Sequence, residues 1–186
     1  MKPSNIELKD YSVSLIEDEK QLEEAYFCNN GLVVLTQANQ TMVLEAADEV
    51  PLFLGIRGYF LTGKAYSLHE AIRERPFIDM KNLIQRLHLD VNAIQVYLGP
   101  SLMFYHIEEQ DEVLARVKEL GYDLACKGTT GKHYLDHQLL VLLQMRKLGI
   151  PMANIRASEY DTYDTKELKS ALRGDEEKNR FIAVLH

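Results

Sequence analysis

The sequence predicts an α/β or α+β fold built in layers, and three observations carry that expectation. Apolar, partly β-branched runs recur at Leu32-Val33-Val34-Leu35, at Thr41-Met42-Val43-Leu44 and over residues 180–185. Segments of helical period stand between them, at residues 79–88, 109–120 and 134–148. The two kinds of segment interleave with no repeat, low-complexity tract or linker, which suits sheets and helices packed in layers.

Composition narrows the classes. At 186 residues the chain suits one domain, with a short N-terminal extension over residues 1–28 packed on a body spanning 29–186. A hydrophobic fraction of 46% and a charged fraction of 26% are those of an ordinary globular core and surface. The net charge of −7 argues against a sequence-independent hold on nucleic acid, which needs clustered Lys and Arg. Cys28 and Cys126 are the only cysteines, too few for a disulfide framework, and both are expected reduced and structural. Residues 1–10 are polar and lack the apolar core of a signal peptide. No run approaches the ~18 apolar residues of a membrane span. The expectation is a cytoplasmic protein with no membrane or nucleic-acid partner.

The elements follow in order. Residues 7–14 are mixed, either a first strand or an arm. Residues 19–27 read as a short helix with Leu22, Ala25 and Tyr26 on one face, ended by Asn29-Asn30-Gly31. Strands follow at 32–35 and 41–44, joined by a polar turn at 37–40. Leu52-Phe53-Leu54 and residues 58–61 are the next two strands, then a turn at Thr62-Gly63-Lys64 and a helix over 66–74. The helix at 79–88 carries Met80, Leu83, Ile84 and Leu87 on one stripe, and Gly99-Pro100-Ser101 stops a strand at 93–98. The helix at 109–120 has Gly121 placed as its C′ residue. Residues 134–148 read as the longest helix, closed by Gly149 and Pro151. A strand is expected at 154–160, a helix at 165–172 and a central strand, buried on both faces, at 180–185.

Candidate site residues are few. Asp48 and Glu49 are adjacent carboxylates; on a strand they would face opposite ways, so they are poor partners for acid–base work. Thr62-Gly63-Lys64 before a helix is either a plain turn with an N-cap or a cradle for a phosphate or carboxylate, with Lys64 adding charge. His133 and His137 stand at i and i+4, a spacing that puts two imidazoles on one helix face if the helix includes both. The Glu of a metalloprotease His-Glu-x-x-His is absent, since Tyr134 takes its place.

Ala47-Asp48-Glu49-Val50-Pro51 resembles the Ala-Asp-Cys-x-Pro motif of the laccase-domain family, also called multicopper polyphenol oxidase or YfiH-like. Thr62-Gly63-Lys64-Ala65-Tyr66-Ser67 occupies the place of its His-Ala-Gly-Trp-Arg-Gly. Leu98-Gly99-Pro100-Ser101 resembles Ile-Gly-Pro-Cys/Ser, and Tyr105-His106-Ile107-Glu108 stands where the family has Tyr-Glu-Val. Tyr134-Leu135-Asp136, Gly149-Ile150-Pro151, Asp161-Thr162-Tyr163, and Arg173 with Arg180 continue the likeness in order.

The resemblance implies a YfiH-like fold, with mixed β-sheets flanked by helices. It also implies a site at Glu49, with Asp48, Thr62, Gly63, Lys64, His106, Arg173 and Arg180 as ligand-binding candidates. Family members hold zinc or copper on two histidines and one cysteine and act on purine nucleosides; one branch is linked to editing of peptidoglycan precursors. Here Glu49 stands for the cysteine and Thr62 for a histidine, no histidine precedes Leu32, and Asp161 stands for a C-terminal cysteine. A carboxylate and a hydroxyl replace the soft donors, so neither zinc nor copper is expected as a cofactor. The expectation is an inactive relative of the family's purine nucleoside phosphorylases and polyphenol oxidases that binds a small molecule or a partner. The alternative is a metal-independent enzyme acting on a nucleoside or other small anionic substrate, with Glu49 as general base and Lys64 or Arg173 holding the anion. A homodimer through the leucine-rich stretch 139–148 is a third reading.

Overall fold

The computed structural model describes residues 5–8, 10–15, 25–28 and 31–186. Its strands are β1 (Asn5–Glu7), β2 (Tyr11–Leu15), β3 (Tyr26–Phe27), β4 (Val33–Leu35), β5 (Thr41–Ala46), β6 (Val50–Ile56), β7 (Phe60–Tyr66), β8 (Gln95–Leu98), β9 (Cys126–Thr129), β10 (Lys132–Leu135), β11 (Ile155–Ala157) and β12 (Asn179–Leu185). Its α-helices are α1 (Leu68–Ile72), α2 (Arg75–Leu87), α3 (Asp111–Glu119) and α4 (His137–Lys147).

Two five-stranded sheets stack face to face, and helices cover the far side of the second. The first sheet runs β1-β2-β12-β5-β3, the second β11-β8-β6-β7-β4, and β9-β10 form a separate hairpin. Both sheets are mixed: β3 pairs parallel to β5 and β11 parallel to β8, while the other pairs within the sheets are antiparallel.

The two-residue alternation of a strand sorts the core into two layers. Val50, Leu52, Leu54, Val96 and Leu98 point to the helix side, where they meet Met80, Leu83, Leu140, Val141 and Met145. Phe53, Leu61 and Tyr97 point the other way, into the space between the sheets, against Met42, Leu44, Phe181 and Ala183. From β2, Tyr11 crosses that space, and its hydroxyl donates to the carbonyls of Phe53 (3.1 Å) and Gln95 (3.3 Å). Its ring lies over Gly55, where an added Cβ would sit 2.6 Å from Tyr11 Cδ1.

Several expected elements take another form. Thr62, Gly63 and Lys64 are not a turn; they are the middle of β7, paired with Leu54, Phe53 and Leu52. The turn lies earlier, at residues 57–59, where Gly58 has φ +63°. Gly63 serves packing instead, because a Cβ there would meet Phe53 Cδ1 at 3.0 Å and Met42 Sδ at 3.1 Å. Tyr134 and Leu135 are not helical but belong to β10, so α4 begins only at His137 and α2, at 13 residues, is the longest helix among the described residues. Asp136 caps α4 by accepting from the Leu139 N–H. Residues 165–172 form turns rather than a helix. In the expected helix 19–27, Tyr26 and Phe27 are extended as β3, and residues 19–24 lie outside the described part.

The leucines of α4 are turned to the core: Leu140 and Leu142 are buried, and Leu139, Leu143 and Leu148 pack against the same cluster. No helix among the described residues is long and apolar enough to cross a membrane.

Candidate functional site

A cavity of about 410 Å³ opens where β5 passes into β6 and where α1 and α4 begin. Asp48 and Glu49 form one wall, Ser67 and Leu68 a second, His137 a third, and Leu102, His106, Ile107 and Glu108 the fourth, with Ala171 at the rim. Each wall has a local cause. Residues 47–49 bend where the chain passes from β5 in the first sheet to β6 in the second. Ser67 and Glu70 form a reciprocal capping box that fixes the start of α1 (2.9 and 3.2 Å).

The two adjacent carboxylates do different work. Asp48 is a tether: its Oδ1 accepts from the Thr162 hydroxyl (2.7 Å) and its Oδ2 from the Leu172 N–H (2.8 Å). Glu49 folds back so that Oε2 accepts from the Ala47 N–H (2.7 Å), while Oε1 stands 3.5 Å from Lys178 Nζ.

His137 is the least solvated group of the cavity wall, at 2% exposure. Burial lowers its pKa to about 4, against the partial opposition of a hydrogen bond to the Ser67 backbone and the charges of Glu49 and Glu70. The ring is therefore neutral at pH 7, and Nε2 has no hydrogen-bond partner. With the other nitrogen bonded to Ser67, Nε2 carries the free lone pair, buried within the cavity wall.

The remaining candidates fall elsewhere. Thr62 is fully buried and donates its hydroxyl to the Val33 carbonyl (2.7 Å), and neither it nor Gly63 lines the cavity. Lys64 is held by Glu70 (3.0 Å) and Asp79 (3.8 Å). Arg173 is an internal brace: it donates to the carbonyls of Thr162 (3.2 Å), Tyr163 (2.7 Å) and Leu168 and pairs with Asp175 (2.6 Å). Arg180 pairs with Glu45 on the surface (2.9 Å). His106 does line the cavity, with its ring between those of Tyr105 and Tyr163 and its Nε2 3.1 Å from Asp161 Oδ2. His133 sits on β10 beside Asp111, so it is no helical partner for His137. Sequence reasoning passed over His137 as a lone group, because its solitary burial is a tertiary property.

The family model for multi-copper polyphenol oxidoreductase laccase matches residues 33–186. The chain belongs to the laccase-domain family. Three solved structures share its fold, each matching 83% of this chain. YlmD from Geobacillus stearothermophilus has 20% identity and a TM-score of 0.74, and 60% of its chain is covered. The hypothetical protein YfiH of Bacillus licheniformis has 18% identity and a TM-score of 0.72, with 61% covered. A Neisseria meningitidis protein of the DUF152 family has 17% identity and a TM-score of 0.69, with 64% covered. The chain thus spans about three fifths of the length of these relatives. No curated protein matches.

The residues at the laccase-domain motif do not fit the zinc or copper that the resemblance implies. Glu49 has one carboxylate oxygen committed to the Ala47 N–H. Thr62 spends its hydroxyl on a strand carbonyl away from the cavity. Cys28 and Cys126 are free thiols that do not line the cavity, and burial raises the pKa of each, that of Cys28 to about 11. A soft metal needs thiolate and imidazole donors converging on one point; this motif supplies none.

Proposed function

We propose that this laccase-domain protein uses the cavity between Glu49 and His137 to bind a small neutral or cationic molecule rich in N–H or O–H donors, such as a nucleoside. It does so without the family's zinc- or copper-dependent chemistry. The observation that carries the reading is the unpartnered Nε2 of His137. A buried polar atom left unpaired costs about 1–3 kcal/mol, and such atoms cluster at functional sites. A ligand donor reaching Nε2 removes that cost.

The rest of the wall supports the same ligand class. Glu49 and Glu108 contribute acceptors, Leu68, Leu102, Ile107 and Ala171 an apolar surface, and no lysine or arginine lines the cavity. A flat heterocycle bearing amino or imino hydrogens matches both. An anionic group does not, since Lys64 and Arg173 are engaged elsewhere. The second reading is a metal-independent enzyme acting on the same neutral ligand. It is favoured by one observation: a neutral imidazole and the Glu49 carboxylate share one cavity, where either could take a proton.

Calorimetric titration of chelator-treated protein with adenosine, inosine and adenosine monophosphate tests the binding. Adenosine or inosine should bind and the monophosphate bind more weakly. Loss of one hydrogen bond in His137→Leu or Glu49→Gln should cost about tenfold in affinity. Equal affinity for the monophosphate, or unchanged nucleoside affinity in His137→Leu, would refute the reading. Product formation from inosine that vanishes in Glu49→Gln would favour the enzymatic version.

A further inference from the structure

At the edge of the same cavity, outside the family's metal-ligand motif, three side chains from distant parts of the chain converge. His106 ends a short 3-10 turn at Phe104–His106. Asp161 and Asp164 follow β11. The two stretches run side by side because the parallel pairing of β8 with β11 continues past the strand ends: Ser158 N–H donates to the Leu98 carbonyl (2.8 Å), Thr162 N–H to the Ser101 carbonyl (3.1 Å), and Ser101 bridges Asp161. Asp161 Oδ1 accepts from the Tyr163 N–H (2.8 Å), an Asx turn that fixes the carboxylate and leaves Oδ2 for other work.

We propose that His106 Nε2, Asp161 Oδ2 and Asp164 Oδ2 form a binding site for a divalent first-row transition cation, of the Mn²⁺ or Zn²⁺ type. Nε2 lies 3.1 Å from Asp161 Oδ2 and 3.6 Å from Asp164 Oδ2, and the three ligand atoms lie within 4.8 Å of one another. Donors sharing one ion at bonds of about 2.0–2.2 Å stand about 3–3.5 Å apart, so the two distances from His106 need little adjustment.

A simple ion pair explains the arrangement less well. Asp161 is only 6% exposed and has the Tyr105 hydroxyl nearby, yet neither its Oδ2 nor His106 Nε2 makes a well-directed hydrogen bond. The two atoms are close, yet no N–H is directed from one to the other. Two buried atoms held 3.1 Å apart without a directed hydrogen bond between them are placed as two donors to a third body would be.

The donor chemistry selects the ion. Two carboxylates and one neutral imidazole balance a divalent charge, and oxygen with imidazole nitrogen suits Mn²⁺ and Zn²⁺ rather than the soft ions that call for thiolate. Tyr105 donates its hydroxyl to Asp164 Oδ2 (3.0 Å) and so orients that carboxylate, the usual role of a group behind a metal ligand. Because His106 also lines the cavity, an ion held here would stand at its edge, with positions left for water or for a bound molecule. The inference does not depend on the ligand reading above, which concerns Glu49 and His137 and is tested in the presence of chelator.

The test is titration of the chelator-stripped full chain with MnCl₂, followed by the paramagnetic resonance of free Mn²⁺, and with ZnCl₂ by calorimetry. One equivalent of at least one ion should bind saturably. Asp161→Asn and His106→Ala should each weaken it by at least about tenfold, while Arg180→Ala, in an exposed ion pair away from the cavity, leaves it unchanged. Circular dichroism and a urea midpoint check that each variant folds. Asp164, 56% exposed in its side chain, supplies Asp164→Asn as the variant least dependent on packing. Absence of saturable binding in the wild type would overturn the proposal and leave the three residues as a structural charge cluster. Unchanged affinity in Asp164→Asn and His106→Ala would overturn it too, by placing the ion elsewhere.

Discussion

The neutral, buried ring of His137 makes stability depend on pH in a defined window. Its pKa is lowered from 6.5 to about 4 by burial. Above pH 6.5 the ring is neutral in both folded and unfolded chains and contributes no slope. As pH falls from 6.5 toward 4 the unfolded chain takes up a proton that the folded chain refuses, so stability is lost on acidification. The difference of about 2.5 units corresponds to about 3 kcal/mol, fully lost below pH 4. The carboxylates of Glu49 and Glu70, which favour the charged ring, are already contained in that figure. His137→Leu removes the titration. At pH 7 it should change stability by less than about 1.5 kcal/mol, because the substitution also removes the unpaired nitrogen and the Ser67 carbonyl keeps its bond from the Ala71 N–H (3.0 Å). Urea unfolding of both proteins at several pH values between 4 and 7 measures it. The variant should gain about 3 kcal/mol on the wild type across that range. A difference between the two that stays constant with pH would refute the reasoning, since it would mean that the ring is protonated equally in both states.

Three further outcomes follow from the packing. Gly55→Ala puts a Cβ 2.6 Å from the Tyr11 ring, backed by the Phe60 carbonyl at 3.2 Å, and should destabilise by about 1–3 kcal/mol in urea unfolding. Arg173→Ala, and Arg173→Lys almost as strongly, should expose residues 162–175 to limited proteolysis, because a single ammonium cannot serve Asp175 and the four carbonyls, of Thr162, Tyr163, Thr165 and Leu168, that the guanidinium bridges. Arg180→Ala breaks only an exposed pair with Glu45 and should shift stability by less than about 1 kcal/mol.

The strands were legible where apolar runs were continuous: residues 33–35, 41–46 and 179–185 fall almost where the β-branched runs placed them. Gly121 and Gly149 end α3 and α4 in the left-handed conformation, as their positions suggested. Gly63 misled, because a glycine beside a threonine and a lysine reads as a turn. What requires it is the approach of Phe53 and Met42 from neighbouring strands, which no local pattern carries. Tyr134 and Leu135 continue the leucine period of α4 on paper, but pairing with Lys127 and Cys126 claims them for a hairpin. Asp48 and Glu49 reached the site through family position alone. Asp161 and Asp164 meet His106 across more than fifty residues of chain, through a strand pairing that only the folded sheet defines. The one hint in the sequence was the resemblance of Asp161-Thr162-Tyr163 to the family's Cys-Thr-Tyr.

Tyr11 lies ahead of the stretch that the family model covers, yet it reaches through the interior to hold two backbone carbonyls of the opposite sheet. Strand β2, paired with β12 and carrying Tyr11, thus acts as a keystone, and trimming the protein to its recognisable portion would uncap the middle of the sandwich. Such a shortened version should bind hydrophobic dyes and precipitate, and experiments on either proposed site belong on the whole polypeptide.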